Sequence, residues 1–163
     1  MTPLPDYIEA LCTAHVALRH TDTEPHFACS TDAAQTAMAT RLLYPAVFLD
    51  MGDFIITGET GHKLLRRALT LTVVTHVADS GNAYEVQTAF DHTETILMDF
   101  LARIEADRRS GHAAVRGVLL VGAEAHRVEL EGAGLYGWML FLSEELPLKL
   151  CLPAANPFEP QTP

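Results

Sequence analysis

Apolar positions recur at helical spacing at the start of the chain. Tyr7, Ile8, Leu11, Cys12, His15 and Val16 share one face, which predicts a helix from Pro5 to Arg19, with Pro5 in the first turn where a missing N–H is harmless. His20 to Pro25 is a polar connection, and His26 to Cys29 fits a short strand. Thr31 or Asp32 can cap a second, Ala-rich helix that ends near Leu42, and Pro45 enforces the break. From Ala46 the period changes to two. Ala46 to Met51 and Phe54 to Thr57 read as one strand bent at Gly52, Gly58-Glu59-Thr60-Gly61 as a turn, and Arg66 to Val77 as the return strand. Along that return strand Leu69, Leu71, Val73 and Val77 face one way, and Thr70, Thr72, Val74 and His76 the other.

The helical period then returns. After Asp79-Ser80-Gly81-Asn82, the residues Val86, Ala89, Phe90, Thr93, Ile96, Leu97, Phe100, Leu101 and Ile104 trace one stripe, predicting a long helix from Tyr84 to Arg109. Ser110-Gly111 closes it, with Arg108 and Arg109 near its negative end. Val115 to Val121, His126 to Glu131 and Leu135 to Ser143 read as strands, the last two joined through Glu131-Gly132-Ala133-Gly134. Strand runs flanked by helices predict an α+β fold. The sheet is mainly antiparallel, a long helix packs on one face, and further helices lie at the N-terminus. The expected division is a single domain over residues 1–147, followed by a proline-rich C-terminal arm or disordered tail over residues 148–163.

Composition narrows the function classes. The chain has 163 residues, 48% of them hydrophobic and 20% charged, which suits one globular domain. Its formal net charge of −10 argues against sequence-independent binding to a phosphate backbone. The 3 cysteines, Cys12, Cys29 and Cys151, are scattered and form no CxxC pair, which predicts reduced thiols. Met1 to Ala10 carries Asp6 and Glu9 and no basic residue, unlike a targeting peptide. Apolar runs such as Val118 to Val121 and Trp138 to Leu142 fall far short of the ~20 residues that span a bilayer. A cytoplasmic protein without a membrane partner is expected.

Candidate chemistry is sparse. The 8 histidines include no pair at i, i+4 and no HExxH, so no metal site is assigned. Gly58-Glu59-Thr60-Gly61-His62-Lys63 fails the phosphate-loop pattern, since Lys63 does not follow Gly61 directly. No GxSxG elbow gives a serine a setting for nucleophilic attack. Glu144-Glu145 reads as a solvated strand end whose carboxylates point to opposite faces, and Asp91, His92 and Glu94 as a solvated helix face. No catalytic, cofactor-binding or metal-binding residue is assigned, and the chain is not expected to be an enzyme. Lys63, Arg66 and Arg67 instead form a basic cluster at the predicted hairpin, which on an acidic protein suits contact with a second copy.

Two phrases carry a family resemblance. Arg67-Ala68-Leu69-Thr70-Leu71-Thr72-Val73-Val74-Thr75-His76-Val77 is similar to a central strand, and Gly134-Leu135-Tyr136-Gly137-Trp138-Met139-Leu140-Phe141 to a closing strand, of the tail-terminator (tail-completion) proteins of tailed bacteriophages and related prophage particles. The order of Pro5 to Arg19, Ala46 to Val77, Tyr84 to Arg109 and Val115 to Ser143 resembles that family's helix, bent hairpin, long helix and terminal strands. Ala33 to Leu42 and the proline-rich end depart from its pattern. The resemblance implies a structural virion protein without a cofactor, assembled in the host cytoplasm and resident in the virion tail or neck. Its partners would be itself, as a ring expected to be hexameric, the tail tube protein, and a neck or head–tail connector protein. Neither a nucleic-acid sequence nor a membrane is among them. Within such a ring, Lys63, Arg66 and Arg67 are expected to meet an acidic face around Glu129 and Glu131 of the adjacent subunit. The alternatives are another neck or head–tail connector protein, and a small cytosolic enzyme or ligand-binding α+β domain.

Overall fold

The computed structural model describes residues 3–29, 42–59, 62–130 and 133–148. The first helix, α1 (Leu4–Ala14), has proline in its first turn and buries Leu4, Tyr7, Ile8 and Cys12. It is shorter than its apolar spacing predicts. At His15 the backbone turns extended (φ −75°, ψ 127°), and the His15 ring accepts a hydrogen bond from the Ala17 N–H at 3.2 Å. This local side-chain bond competes with another helical turn, so Val16 ends 78% exposed instead of continuing the stripe.

The strands are β1 (Phe27–Cys29), β2 (Ala46–Glu59), β3 (His62–His76), β4 (Val118–Leu130) and β5 (Leu135–Pro147), arranged in the order β1-β2-β3-β5-β4. β1 runs parallel to β2 and the other pairings are antiparallel. The second helix, α2 (Ala83–Arg109), packs across β3 and β5. The chain is therefore an α+β protein with a mainly antiparallel sheet and a long helix laid on it. The expected Ala-rich helix after Thr31 and the proline-rich arm from residue 149 onward lie outside the described residues.

β2 bends where its sequence predicts, with a register shift between Met51 and Phe54. Pairing then continues to Glu59↔His62, so the hairpin runs further than expected and β3 begins at His62 instead of Arg66. Gly58 sits at φ +94°, and a Cβ there would collide with the His62 carbonyl oxygen. The two strands expected at Val115 to Val121 and His126 to Glu131 are one. β4 crosses an irregularity between Leu119 and Glu124, with Gly122 at φ +78°, and re-enters the ladder. A local kink thus imitates a chain break in the sequence.

α2 is fixed at both ends. The Asn82 side chain accepts from the N–H groups of Tyr84 and Glu85, and its amide donates to Glu85 Oε1 at 3.1 Å. At the far end Arg108 and Arg109 both pair with Glu105, whose carboxyl they hold down at about 2. Between the caps Ala89, Phe90, Thr93, Ile96, Leu97, Phe100 and Ile104 are buried, as the stripe predicts. Ile96, Leu97, Phe100 and Ile104 meet Leu69, Leu71 and Val73 of β3, Leu140 of β5 and Val47 and Leu49 of β2 in the main core. On the reverse face, Ala46, Phe48, Val74 and Leu135 join Leu42 in a second cluster, so the sheet is apolar on both sides at that end. A third cluster closes the start of α2, where Trp138 donates its indole N–H to the Phe90 carbonyl at 3.1 Å.

Candidate functional site

Beyond the bend, the β2–β3 hairpin keeps its hydrogen-bonded ladder, and β5 still pairs with β3 as far as Leu64↔Pro147, but this arm of the sheet loses its apolar cover. Phe54, Ile55 and Ile56 are consecutive, so the pleat sends them to both faces, and they are 55%, 57% and 52% exposed. Leu64 on the return strand is also exposed. Isolated exposed apolar residues are ordinary, but several neighbouring ones on one edge strand mark a candidate contact surface.

The basic cluster sits on this arm, and its three cations differ. Lys63 is exposed opposite Gly58 and makes no ion pair among the described residues. Arg66 lies opposite Glu145 and donates to its Oε1 through both Nε and Nη2. Arg67 lies opposite Glu144 with 3.8 Å between guanidinium and carboxylate. Glu144 and Glu145 do point to opposite faces, but the expectation of a solvated pair fails at Glu144, which is only 5% exposed. Burial pushes its carboxyl up, and the Arg67 charge opposes that shift. The Arg-Arg and Glu-Glu dipeptides are thus cross-strand partners within one sheet, a match visible in sequence only once the register is known. Glu129 is exposed on β4 opposite Tyr136, at the end of the sheet remote from the arm. Glu131 lies outside the described residues.

The histidines do not converge. His15 Nδ1 accepts from Ala17, so Nε2 carries the proton and donates to Asp99 Oδ2 at 3.2 Å. His20 repeats the arrangement, with Nδ1 accepting from the His26 N–H and Nε2 facing Glu9 at 3.2 Å. Each ring has both nitrogens engaged and acts as a strut, with no free lone pair to take a substrate proton. Among the described residues no three His, Cys, Asp or Glu side chains are grouped to hold a metal ion. Cys12 is fully buried, which pushes its thiol up, and Cys29 is exposed. No described helix is long and apolar enough to cross a membrane.

A feature without any local motif lies between the helices. Tyr7, Ala10, Leu11, Ala14 and His15 face Asp99, Phe100, Arg103 and Asp107 across a cleft of about 410 Å³, with His112 at one end. The Tyr7 hydroxyl and Arg103 Nε both donate to Asp107 Oδ2 at 2.8 Å. These bonds hold the Asp107 carboxyl below the usual range, while burial and the carboxylate push the Tyr7 phenol up. Sequence reading missed the cleft because its walls meet only when α1 lies alongside α2. No protein-family model matches the chain, and no curated protein matches it.

Proposed function

We propose that this chain is a structural subunit of a tailed bacteriophage or phage-tail-like particle, which closes the finished tail tube as a ring and connects it to the neck. The observation that carries the reading is the arm, where Phe54, Ile55 and Ile56 leave a paired hairpin apolar on both faces. Covering such a surface is favourable, since each large side chain gains up to roughly 1.5–3 kcal/mol on full burial. A net charge of −10 makes copies repel within roughly 8 Å, so an apolar contact flanked by Lys63 is where attraction can prevail. An arm that reaches a different surface on an identical neighbour generates a ring when the rotation closes. The expected partners are further copies of this chain, the tail tube protein and a neck protein. The function requires no cofactor, and no catalytic role is assigned.

The test is sedimentation of the purified chain over a concentration series, alone and with a tail tube protein. The wild type is expected to form a closed oligomer, and the Phe54→Ser/Ile56→Ser variant to remain a folded monomer. A wild type that stays monomeric in both settings refutes the reading. The cleft between α1 and α2 favours a second reading, a small ligand-binding α+β domain, for which native mass spectrometry would find a small molecule retained by the monomer.

A further inference from the structure

We infer that the arm of one copy docks in the α1–α2 cleft of the next, making that cleft the acceptor half of the ring contact. The inference rests on the ring reading and replaces the region of Glu129 as the surface the arm meets. Its first support is complementary shape and polarity. The cleft has an apolar floor of Leu11, Ala10, Ala14 and Phe100, and the exposed alanines leave room above it for the side chains of a short apolar segment. Phe54 and Ile56, which share one face of the pleat, provide such side chains, held extended by the β3 ladder and therefore ordered before contact.

The second support is charge. Asp107 already receives bonds from Tyr7 and Arg103, whereas among the described residues Asp99 is bonded by His15 Nε2 alone. Asp99 presents its carboxylate at the cleft edge, with its side chain 61% exposed. The matching cation is Lys63, because Arg66 and Arg67 are committed to Glu145 and Glu144 in their own sheet. The third support is topology. Among the described residues no arm residue lines the cleft of its own chain, so the cleft is open to the arm of a second copy, and such a contact builds a ring where the rotation closes.

The experiment uses the full chain in sedimentation velocity, with circular dichroism melts as the folding control. Lys63→Asp and Asp99→Lys should each weaken association by about tenfold or more, and the two together should recover most of the loss. Ala14→Trp fills the cleft from an exposed position and should abolish assembly without lowering the melting temperature. Assembly of Ala14→Trp and Asp99→Lys at wild-type strength, while Phe54→Ser/Ile56→Ser fails to assemble, would overturn this inference and leave the ring reading intact. A wild type monomeric under all conditions would overturn both. So would a co-purified small molecule that Ala14→Trp displaces from a monomer.

Discussion

Phe48 and Phe54 belong to one strand, yet the first is 1% exposed and the second 55%. Their neighbours are equally apolar: Ala46, Val47 and Leu49 on one side of the bend, Ile55 and Ile56 on the other. The difference lies in what covers them. Below the bend, α1 and α2 lie on one face of β2 and β3, and Leu42 and Leu135 close the other. Above it, Arg67, Leu65 and Lys63 continue the face of Leu69 and Leu71, and among the described residues no apolar cluster includes Phe54, Ile55 or Ile56. The same strand chemistry thus makes a core at one end and a surface at the other.

Phe48→Ala should break the buried end, costing ~3–5 kcal/mol in denaturant unfolding with no special effect on assembly beyond the loss of folded chain. Arg67→Glu should come next, at ~1–3 kcal/mol, because it leaves buried Glu144 beside a like charge. Reversing the arginines therefore damages the monomer, and it is a poor probe of contacts between copies. Asn82→Ala should cost ~1 kcal/mol through the lost α2 cap, lowering the melting temperature of the buried half. Phe54→Ala should change monomer stability by no more than ~0.5 kcal/mol while weakening sedimentation-detected assembly. Equal destabilisation by Phe48→Ala and Phe54→Ala would erase the contrast.

Acid titration sharpens the boundary between the two ends. Folded Glu144 holds its proton more tightly than an unfolded glutamate does, because burial raises its carboxyl. Its contribution to stability is therefore lost as pH rises from the ordinary glutamate range through the raised folded value. Glu105 and Asp107, both lowered, act with the opposite sign, stabilising above the ordinary carboxylate range and losing that effect as pH falls. Comparing urea midpoints of wild type and Glu144→Gln cancels the latter pair. The variant should gain relative to wild type as pH rises through the window of Glu144.

The long helix, the bent hairpin and the α+β arrangement were legible because each rests on one unbroken period. The α2 stripe from Ala89 to Ile104 and the opposed faces of Leu71 and Val74 are local patterns that the packing preserves. Where a single side chain or a kink decided the outcome, legibility failed: His15 ended α1 early, and the irregularity beyond Leu119 made one strand look like two. The candidate surface was half visible. Lys63, Arg66 and Arg67 stood out as a cluster, but only the pairing of β3 with β5 separates the two committed arginines from the lysine. The cleft beside Asp99 belongs to no segment of sequence, since it forms only where α1 and its end lie alongside α2, with Tyr7 at Asp107 and His15 at Asp99.

The bend in β2 has a consequence for solubility. Among the described residues β1 pairs only with Val47 to Leu49, which leaves the outer edge of β2 from Asp50 onward without a neighbouring strand. A flat apolar edge of that kind recruits unrelated strands, and runs of six or seven such residues stack into fibrils. Asp50, Gly52 and Asp53 cut the strand into two shorter apolar stretches just where its protection ends. Oδ1 of Asp50 is buried there with no hydrogen-bond partner among the described residues, so a foreign strand laid along this edge would have to enclose a carboxylate as well. The kink that aims the arm also keeps the strand from serving as a template for its own aggregation.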